Sequence, residues 1–307
     1  MTGPTVALAG VTKAYGRQRA IAGIDLTVMP GERVALVGHN GAGKSTLMKL
    51  ILGLIRPSEG RVELLGADPA GRAAGAARMA VGFLPENIAF SPSITGAELL
   101  AFYARLKRQP VSRNAALLER VGIAEAATRR VGTYSKGMRQ RLGLAQALIG
   151  RPRVLLLDEP TTGLDPALRQ SFYEILDALA ADGASVLLAS HALAELESRV
   201  DRVVVLNRGA KVADGTLATL RRFSPVSARI RLTLADPTDA APPAIPGSVL
   251  AWTRIGGPVW ETSCPDADKL ALVRRLLAAP LELADIDVIT PTLDEIYAGF
   301  LRHEAAV

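Results

Sequence analysis

Hydrophobic residues in the first thirty positions alternate with polar or small ones. Val6-Ala7-Leu8-Ala9-Gly10-Val11 and Ile24-Asp25-Leu26-Thr27-Val28 predict two half-buried strands, with a turn at Gly16-Arg17 between them. Pro30-Gly31 marks a further turn. The pattern then changes. Arg33-Val34-Ala35-Leu36-Val37 is a short continuous apolar run, which predicts a buried strand, and it leads into the glycine-rich stretch Gly38 to Gly43. Leu47, Leu50, Ile51, Leu54 and Ile55 next recur at helical spacing, so strand, loop and helix follow one another.

From Glu86 to Gly150 the period is helical, with helices expected over Ala97 to Lys107, Ala115 to Val121 and Gly137 to Ile149. Three more apolar strands follow: Val154 to Leu157, Ser185 to Ala189 and Arg202 to Leu206. A helix is expected between the first two, from Pro166 to Ala181. Apolar strands alternating with helices predict an α/β fold with a mostly parallel sheet covered on both faces.

Beyond Phe223 the composition shifts. A proline-rich loop is expected from Asp236 to Pro246. Short strands at Arg229 to Leu234 and Val259 to Thr262, a helix from Asp268 to Leu277 and an end segment from Leu293 to Phe300 surround it. We expect two domains, 1–222 and a small α+β appendage over 223–307.

Composition narrows the setting. The chain of 307 residues is 49% hydrophobic but only 4% aromatic. Its positive mean hydropathy of +0.22 therefore comes from alanine and short strands. No run approaches the roughly 18 apolar residues of a spanning helix. Met1-Thr2-Gly3-Pro4 lacks the basic and apolar regions of a signal peptide, so a cytoplasmic protein is expected. The single cysteine, Cys264, offers neither a disulfide nor metal-site spacing. A formal charge of +6 would suit nucleic acid or an anionic leaflet. Arginines sit among acids along most of the chain, however, so scattered solvated charge is the preferred reading and no nucleic-acid partner is expected.

Candidate chemistry begins at Gly38-His39-Asn40-Gly41-Ala42-Gly43-Lys44-Ser45-Thr46, which fits the phosphate-loop pattern G-x-x-x-x-G-K-[ST]. Glycines let successive N–H groups point at phosphates, and the following helix adds its positive end. Lys44 can place an ammonium between β- and γ-phosphates, and the Ser45 hydroxyl can ligate Mg²⁺. His39 occupies a variable position and only lines the loop. The strand Leu155-Leu156-Leu157 ends in Asp158-Glu159-Pro160. Adjacent carboxylates at a buried strand's end are costly unless they bind something. Asp158 would hold the metal, and Glu159 would orient and polarise an attacking water.

Ahead of that strand lies Tyr134-Ser135-Lys136-Gly137-Met138-Arg139-Gln140-Arg141. This segment resembles the signature of ABC-transporter nucleotide-binding subunits, usually written LSGGQ. Ser135 and Gly137 match it; Tyr134, Lys136 and Met138 depart. The resemblance covers about residues 5–222. It implies a P-loop ABC cassette, with a parallel sheet core, an antiparallel β subdomain and a helical subdomain. It also implies ATP and Mg²⁺ as ligands, and two copies paired head to tail. ATP would then lie between one P-loop and the partner's Ser135, Lys136 and Gly137. By the same resemblance Asp165 in Gly163-Leu164-Asp165 belongs to the D-loop, and His191 contacts the γ-phosphate. Tyr15 stacks on adenine, a contact worth about 1–3 kcal/mol. Glu86, in Phe83-Leu84-Pro85-Glu86-Asn87, takes the place of the family's metal-reaching glutamine and adds a charge there.

Two runs, Gly82 to Phe90 and Tyr134 to Leu148, carry a narrower resemblance to the NosF-type ATPases, which serve maturation of nitrous oxide reductase, a periplasmic copper enzyme. That resemblance implies a NosY-like membrane permease, a NosD-like periplasmic partner and a peripheral place on the cytoplasmic face of the inner membrane. The alternative is the motor of another exporter, for drugs, lipids or polysaccharides. A soluble ABC ATPase acting on nucleic acid would bring coiled coils, zinc modules or a second cassette. A P-loop GTPase or kinase would leave Ser135, Asp165 and His191 unexplained.

Overall fold

The computed structural model describes residues 3–235 and 250–306. Contacts divide the chain into two units, Met1–Asp214 and Gly215–Val307. The division falls ahead of the 222/223 boundary expected from composition, so the helix Leu217–Phe223 belongs to the second unit. The proline-rich loop expected over 236–246 lies outside the described residues.

The first unit opens with an antiparallel hairpin, β1 (Val6–Tyr15) and β2 (Gln18–Val28), joined at Gly16-Arg17. Then come β3 (Arg33–Val37), helix α1 (Lys44–Ile51) and β4 (Glu59–Leu64). A short helix, α2 (Gly75–Met79), leads to β5 (Val81–Leu84). The helical region comprises α3 (Gly96–Leu106), α4 (Asn114–Arg120) and α5 (Lys136–Ala147). The unit closes with β6 (Val154–Asp158), α6 (Pro166–Ala181), β7 (Ser185–Ala189), α7 (Leu193–Leu196), β8 (Arg202–Asn207) and β9 (Ala210–Gly215).

Two sheets result. β2, β1 and β4 form a three-stranded antiparallel sheet. The main sheet has the order β5-β6-β7-β3-β8-β9, and its first five strands run parallel. β6 and β7 are buried at every position, which is why they read as unbroken apolar runs rather than alternations. The hairpin alternates because one of its faces packs on the core, through Val6, Leu8, Ile24 and Leu26, while the other is open.

Helix ends follow local chemistry. Thr95 and Glu98 form a reciprocal capping box at α3. Ser135 caps α5, and Asp165 caps α6 with Pro166 in the first turn. The helix expected to continue through Leu54 and Ile55 stops at Ile51 instead. Gly53 turns the chain there at φ 69°, where a Cβ would lie 2.2 Å from the Pro69 carbonyl oxygen, and Leu54 is left 66% exposed.

The second unit holds α8 (Leu217–Phe223), β10 (Ala228–Leu234), β11 (Thr253–Gly256), β12 (Val259–Cys264), α9 (Lys269–Ala278), β13 (Leu283–Ile289) and α10 (Leu293–Ala306). Its strands pair antiparallel in the order β11-β12-β10-β13. Alternate residues of β10, namely Ala228, Ile230 and Leu232, pack with Leu272 and Leu276 of α9 into a separate core.

Candidate functional site

Five neighbouring parallel strands end at one edge of the main sheet, and the chain leaving each contributes to a single cleft. β3 runs into Gly38 to Thr46, β5 is followed by Glu86, and β6 ends at Asp158 and Glu159. β7 is followed by His191, and β8 by Arg208. The cleft has a volume of about 870 Å³. Open parallel sheets bind ligands at this edge because loops and helix starts converge there.

The phosphate loop is held from behind. Gly43 has φ 109°, and a Cβ on it would come within 2.8 Å of the Ala20 carbonyl oxygen and of Ile21 Cδ1. Gly38 has no room for a side chain either, since Leu206 O would lie 2.6 Å away. Lys44 is buried and donates from Nζ to the carbonyl oxygens of Gly38, at 2.5 Å, and His39, at 3.3 Å. The ammonium thus bridges the loop it closes. His39 does more than line the loop: its Nε2 lies 2.8 Å from Asn207 Oδ1, tying the loop to the end of β8.

Ser45 Oγ donates to Asp158 Oδ2 at 2.9 Å, so the first turn of α1 is joined to the end of β6. Burial pushes the Asp158 carboxyl above the usual carboxylate range and the charge of Glu86 adds to this, while the Ser45 hydrogen bond and the ammoniums of Lys44 and Lys49 oppose it. A crowded, partly dehydrated carboxylate of this kind gains from a cation. Ser45, Asp158 and Glu86 offer the hard oxygen donors that suit Mg²⁺, which takes one or two carboxylates plus substrate phosphates rather than an all-protein cage. Among the described residues no group of three or more His, Cys, Asp or Glu forms such a cage.

Glu159 departs from ordinary backbone geometry. Its φ of 49° is left-handed, a conformation that costs a non-glycine residue about 1–2 kcal/mol. Its N–H donates to Ala189 O at 2.9 Å, and its Oε2 lies 2.7 Å from His191 Nδ1. The carboxylate is almost fully covered, with its side chain 10% exposed.

The other expected residues stand outside this cleft. Tyr15 ends β1 with its ring half exposed and Lys13 Nζ 5.1 Å from the ring centre. Ser135, Lys136 and Gly137 open α5; Ser135 Oγ accepts from Met138 N at 3.2 Å, and Ser135 and Lys136 are exposed. The Lys136 stem lies over Gly163, where an added Cβ would be 3.2 Å from Cδ. Asp165 Oδ1 accepts from Leu168 N at 2.9 Å. One tie connects these segments to the cleft, and another anchors them in the helical region. Gln140 Nε2, buried on α5, donates to Pro160 O at 3.0 Å. Tyr134 sits in the core with its hydroxyl on Ala126 O at 2.6 Å, an anchor where the family signature has leucine. Sequence reasoning passed over Gln18, Arg19, Ala20, Thr162 and Arg208, which also line the cleft. Only Arg208 carried a signal, a basic residue directly after an apolar strand.

This arrangement defines a P-loop nucleotide-binding protein. The sequence profile of ABC transporters matches residues 21–162. The daunorubicin resistance ATP-binding protein DrrA3 of Streptomyces coeruleorubidus is 34% identical over 310 residues, covering 97% of this chain and 96% of its own. The Nod factor export ATP-binding protein I of Rhizobium meliloti (strain 1021) is 42% identical over 218 residues, 69% of this chain and 65% of that protein. Among solved structures, a dimeric ATP-binding cassette in a post-hydrolysis state with ADP and Pi matches with a TM-score of 0.64 at 25% identity, covering 69% of this chain and 98% of that one. The chain belongs to the ABC transporter family, as one of its ATP-binding, ATPase subunits. Cassettes of this family form dimers and work with membrane permeases. Among the described residues no helix is long and apolar enough to cross a membrane.

Proposed function

We propose that this chain is the motor of an exporter, hydrolysing ATP in the cleft at the strand ends. The observation that carries the reading is the joining of Ser45 to Asp158 at 2.9 Å beside the Glu159–His191 pair. It sets a hard-cation site next to a covered base at the mouth of the phosphate loop. ATP lies with its phosphates along Gly38 to Thr46 and its adenine toward Tyr15. Ser45, Asp158 and Glu86 hold Mg²⁺, which neutralises phosphate charge when bound. Glu159 takes the proton of the attacking water, and His191 meets the γ-phosphate. Ser135 and Lys136 are exposed and, with Gly137, do not line their own cleft, which suits completing the site of a second copy in a head-to-tail homodimer, with Asp165 at the same junction. The dimer acts from the cytoplasmic face of the inner membrane, and α3 to α5 pass its motion to a permease. The domain organisation is a cassette followed by an accessory α+β unit.

The relatives that name a cargo concern drug resistance and Nod factor export, so we place the exporter reading first. The maturation of nitrous oxide reductase with copper, through NosY-like and NosD-like partners, rests on the runs Gly82 to Phe90 and Tyr134 to Leu148 and comes second. Co-purification from native membranes, followed by efflux assays in vesicles, tests this. A permease supporting ATP-driven efflux of an anthracycline upholds the exporter reading. Recovery of a periplasmic partner, with loss of reductase copper centres on deletion, reverses the order. Absence of any membrane partner, with no ATP turnover, removes both.

A further inference from the structure

A second cleft, of about 430 Å³, lies where the α3–α4 connection and α4 meet the α5–β6 turn and α6. Its size falls within the range of small-molecule sites. Every charged residue lining it is an arginine: Arg113, Arg120 and Arg151. None of the three is in an ion pair among the described residues. Three like charges around one cleft repel one another, and nothing on its walls offsets them. Asn114 also lines it; this residue is only 6% exposed, and its Nδ2 has no hydrogen-bond partner among the described residues. A buried donor left unmade is costly and calls for an acceptor. Gln109 and Ser112 add polar groups, while Leu117, Leu148, Ile149 and Leu179 form an apolar wall. The turn that presents Arg151 is itself unusual. Gly150 and Arg151 are both left-handed, at φ 85° and 52°, a conformation that arginine rarely adopts and that clusters at ligand sites.

We propose that this cleft binds a small organophosphate. A carboxylate is satisfied by one guanidinium fork. A phosphate monoester carries roughly two negative charges and three strong acceptor oxygens, which matches several guanidiniums and an amide donor together. The apolar wall takes the organic body, so an ester fits better than inorganic phosphate. The source of such a group is either a free phosphorylated metabolite or the terminal phosphate of a lipid such as phosphatidic acid.

The test uses the whole chain saturated with MgADP, so that the phosphate loop is filled. Phenyl phosphate, which carries both the anion and an apolar ring, is titrated by calorimetry. Vesicles containing phosphatidic acid, whose phosphate is a monoester, with phosphatidylcholine as control, are tested by co-sedimentation. Saturable binding of phenyl phosphate, weakened at least about tenfold by Arg113→Ala combined with Arg151→Ala, supports a free metabolite. Selective binding to phosphatidic acid that the same pair abolishes assigns the headgroup. Both arginines are exposed, so the fold survives their removal. The nucleotide-free Lys44→Ala variant should bind phenyl phosphate as the parent does, which separates this cleft from the phosphate loop. The proposal is overturned if the parent binds neither probe, if the arginine pair leaves all binding intact, or if Lys44→Ala removes it.

Discussion

Glu159 and His191 are in direct contact: the glutamate Oε2 lies 2.7 Å from the imidazole Nδ1 and 3.4 Å from the backbone nitrogen of the same histidine. The end of β6 and the segment after β7 are thereby linked through a covered carboxylate, the one we propose takes the proton from water. Replacing Glu159 with Gln keeps the shape and the hydrogen-bonding reach but removes the base. We expect kcat to fall by about 10²–10⁴-fold with ATP affinity retained. Steady-state turnover alongside equilibrium nucleotide binding checks this, and turnover at the parent rate would remove Glu159 from the reaction.

The phosphate loop has no tolerance at Gly43. Alanine there would meet the Ala20 carbonyl oxygen and Ile21 Cδ1 at 2.8 Å, with φ at 109°. Gly43→Ala should lower stability by about 1–3 kcal/mol and weaken ATP binding as the loop shifts. Urea unfolding and a nucleotide titration on the same sample report both effects. Gly41→Ala meets no atom within 4 Å and should cost less.

Tyr15 presents a half-exposed ring with a lysine at one face. If that ring stacks on adenine, Tyr15→Phe leaves ATP affinity near the parent value and Tyr15→Ala lowers it by about 1–3 kcal/mol. Equal affinity for all three proteins would show that the base binds elsewhere.

Lys107 gives the fold a pH dependence. Its Nζ donates to Val81 O at 2.8 Å and Ile149 O at 3.1 Å, and burial pulls its pKa down to about 8. Between that value and the unfolded one, about 10.4, the unfolded chain binds more protons, so stability from this group rises with pH. The parent should therefore gain about 1–3 kcal/mol relative to Lys107→Met between pH 8 and 10. Denaturation midpoints at both pH values, compared between the two proteins, test the sign.

Gln140 ties the signature helix to Pro160 from a buried position. Gln140→Ala leaves a buried carbonyl oxygen unpaired and should cost about 1–3 kcal/mol. If the tie also aligns Glu159, kcat falls while the KM for ATP holds. A loss confined to stability would limit Gln140 to packing.

Much of the cassette was legible because its strands are buried on both faces. Arg33–Val37, Val154–Asp158 and Ser185–Ala189 announce themselves as apolar runs, and α6 is bounded by Asp165-Pro166 at one end and Asp182-Gly183 at the other. β4 escaped notice because only Val62 and Leu64 of its six residues are buried. β5 is four residues long, and β9 is half-buried throughout, so neither gives a period. Leu54 and Ile55 keep the spacing of α1 beyond its end at Ile51, past a turn that only the backbone at Gly53 reveals. The phosphate loop and Asp158-Glu159 were visible as motifs. The contacts of His39 with Asn207 and of Glu159 with His191 were not, because each joins residues from separate strands.

The convergence of five parallel strand ends on one cleft also bears on how the protein is made. Its lining residues span positions 18 to 208, and the separate segments that carry them come together only once the strands have found their registers. Such long-range pairing is slow to form and exposes unpaired edges while it proceeds. The complete cleft is therefore a late product of folding, even though the phosphate loop itself is local. A nucleotide that binds only the finished cassette then stabilises it over every incomplete form by mass action.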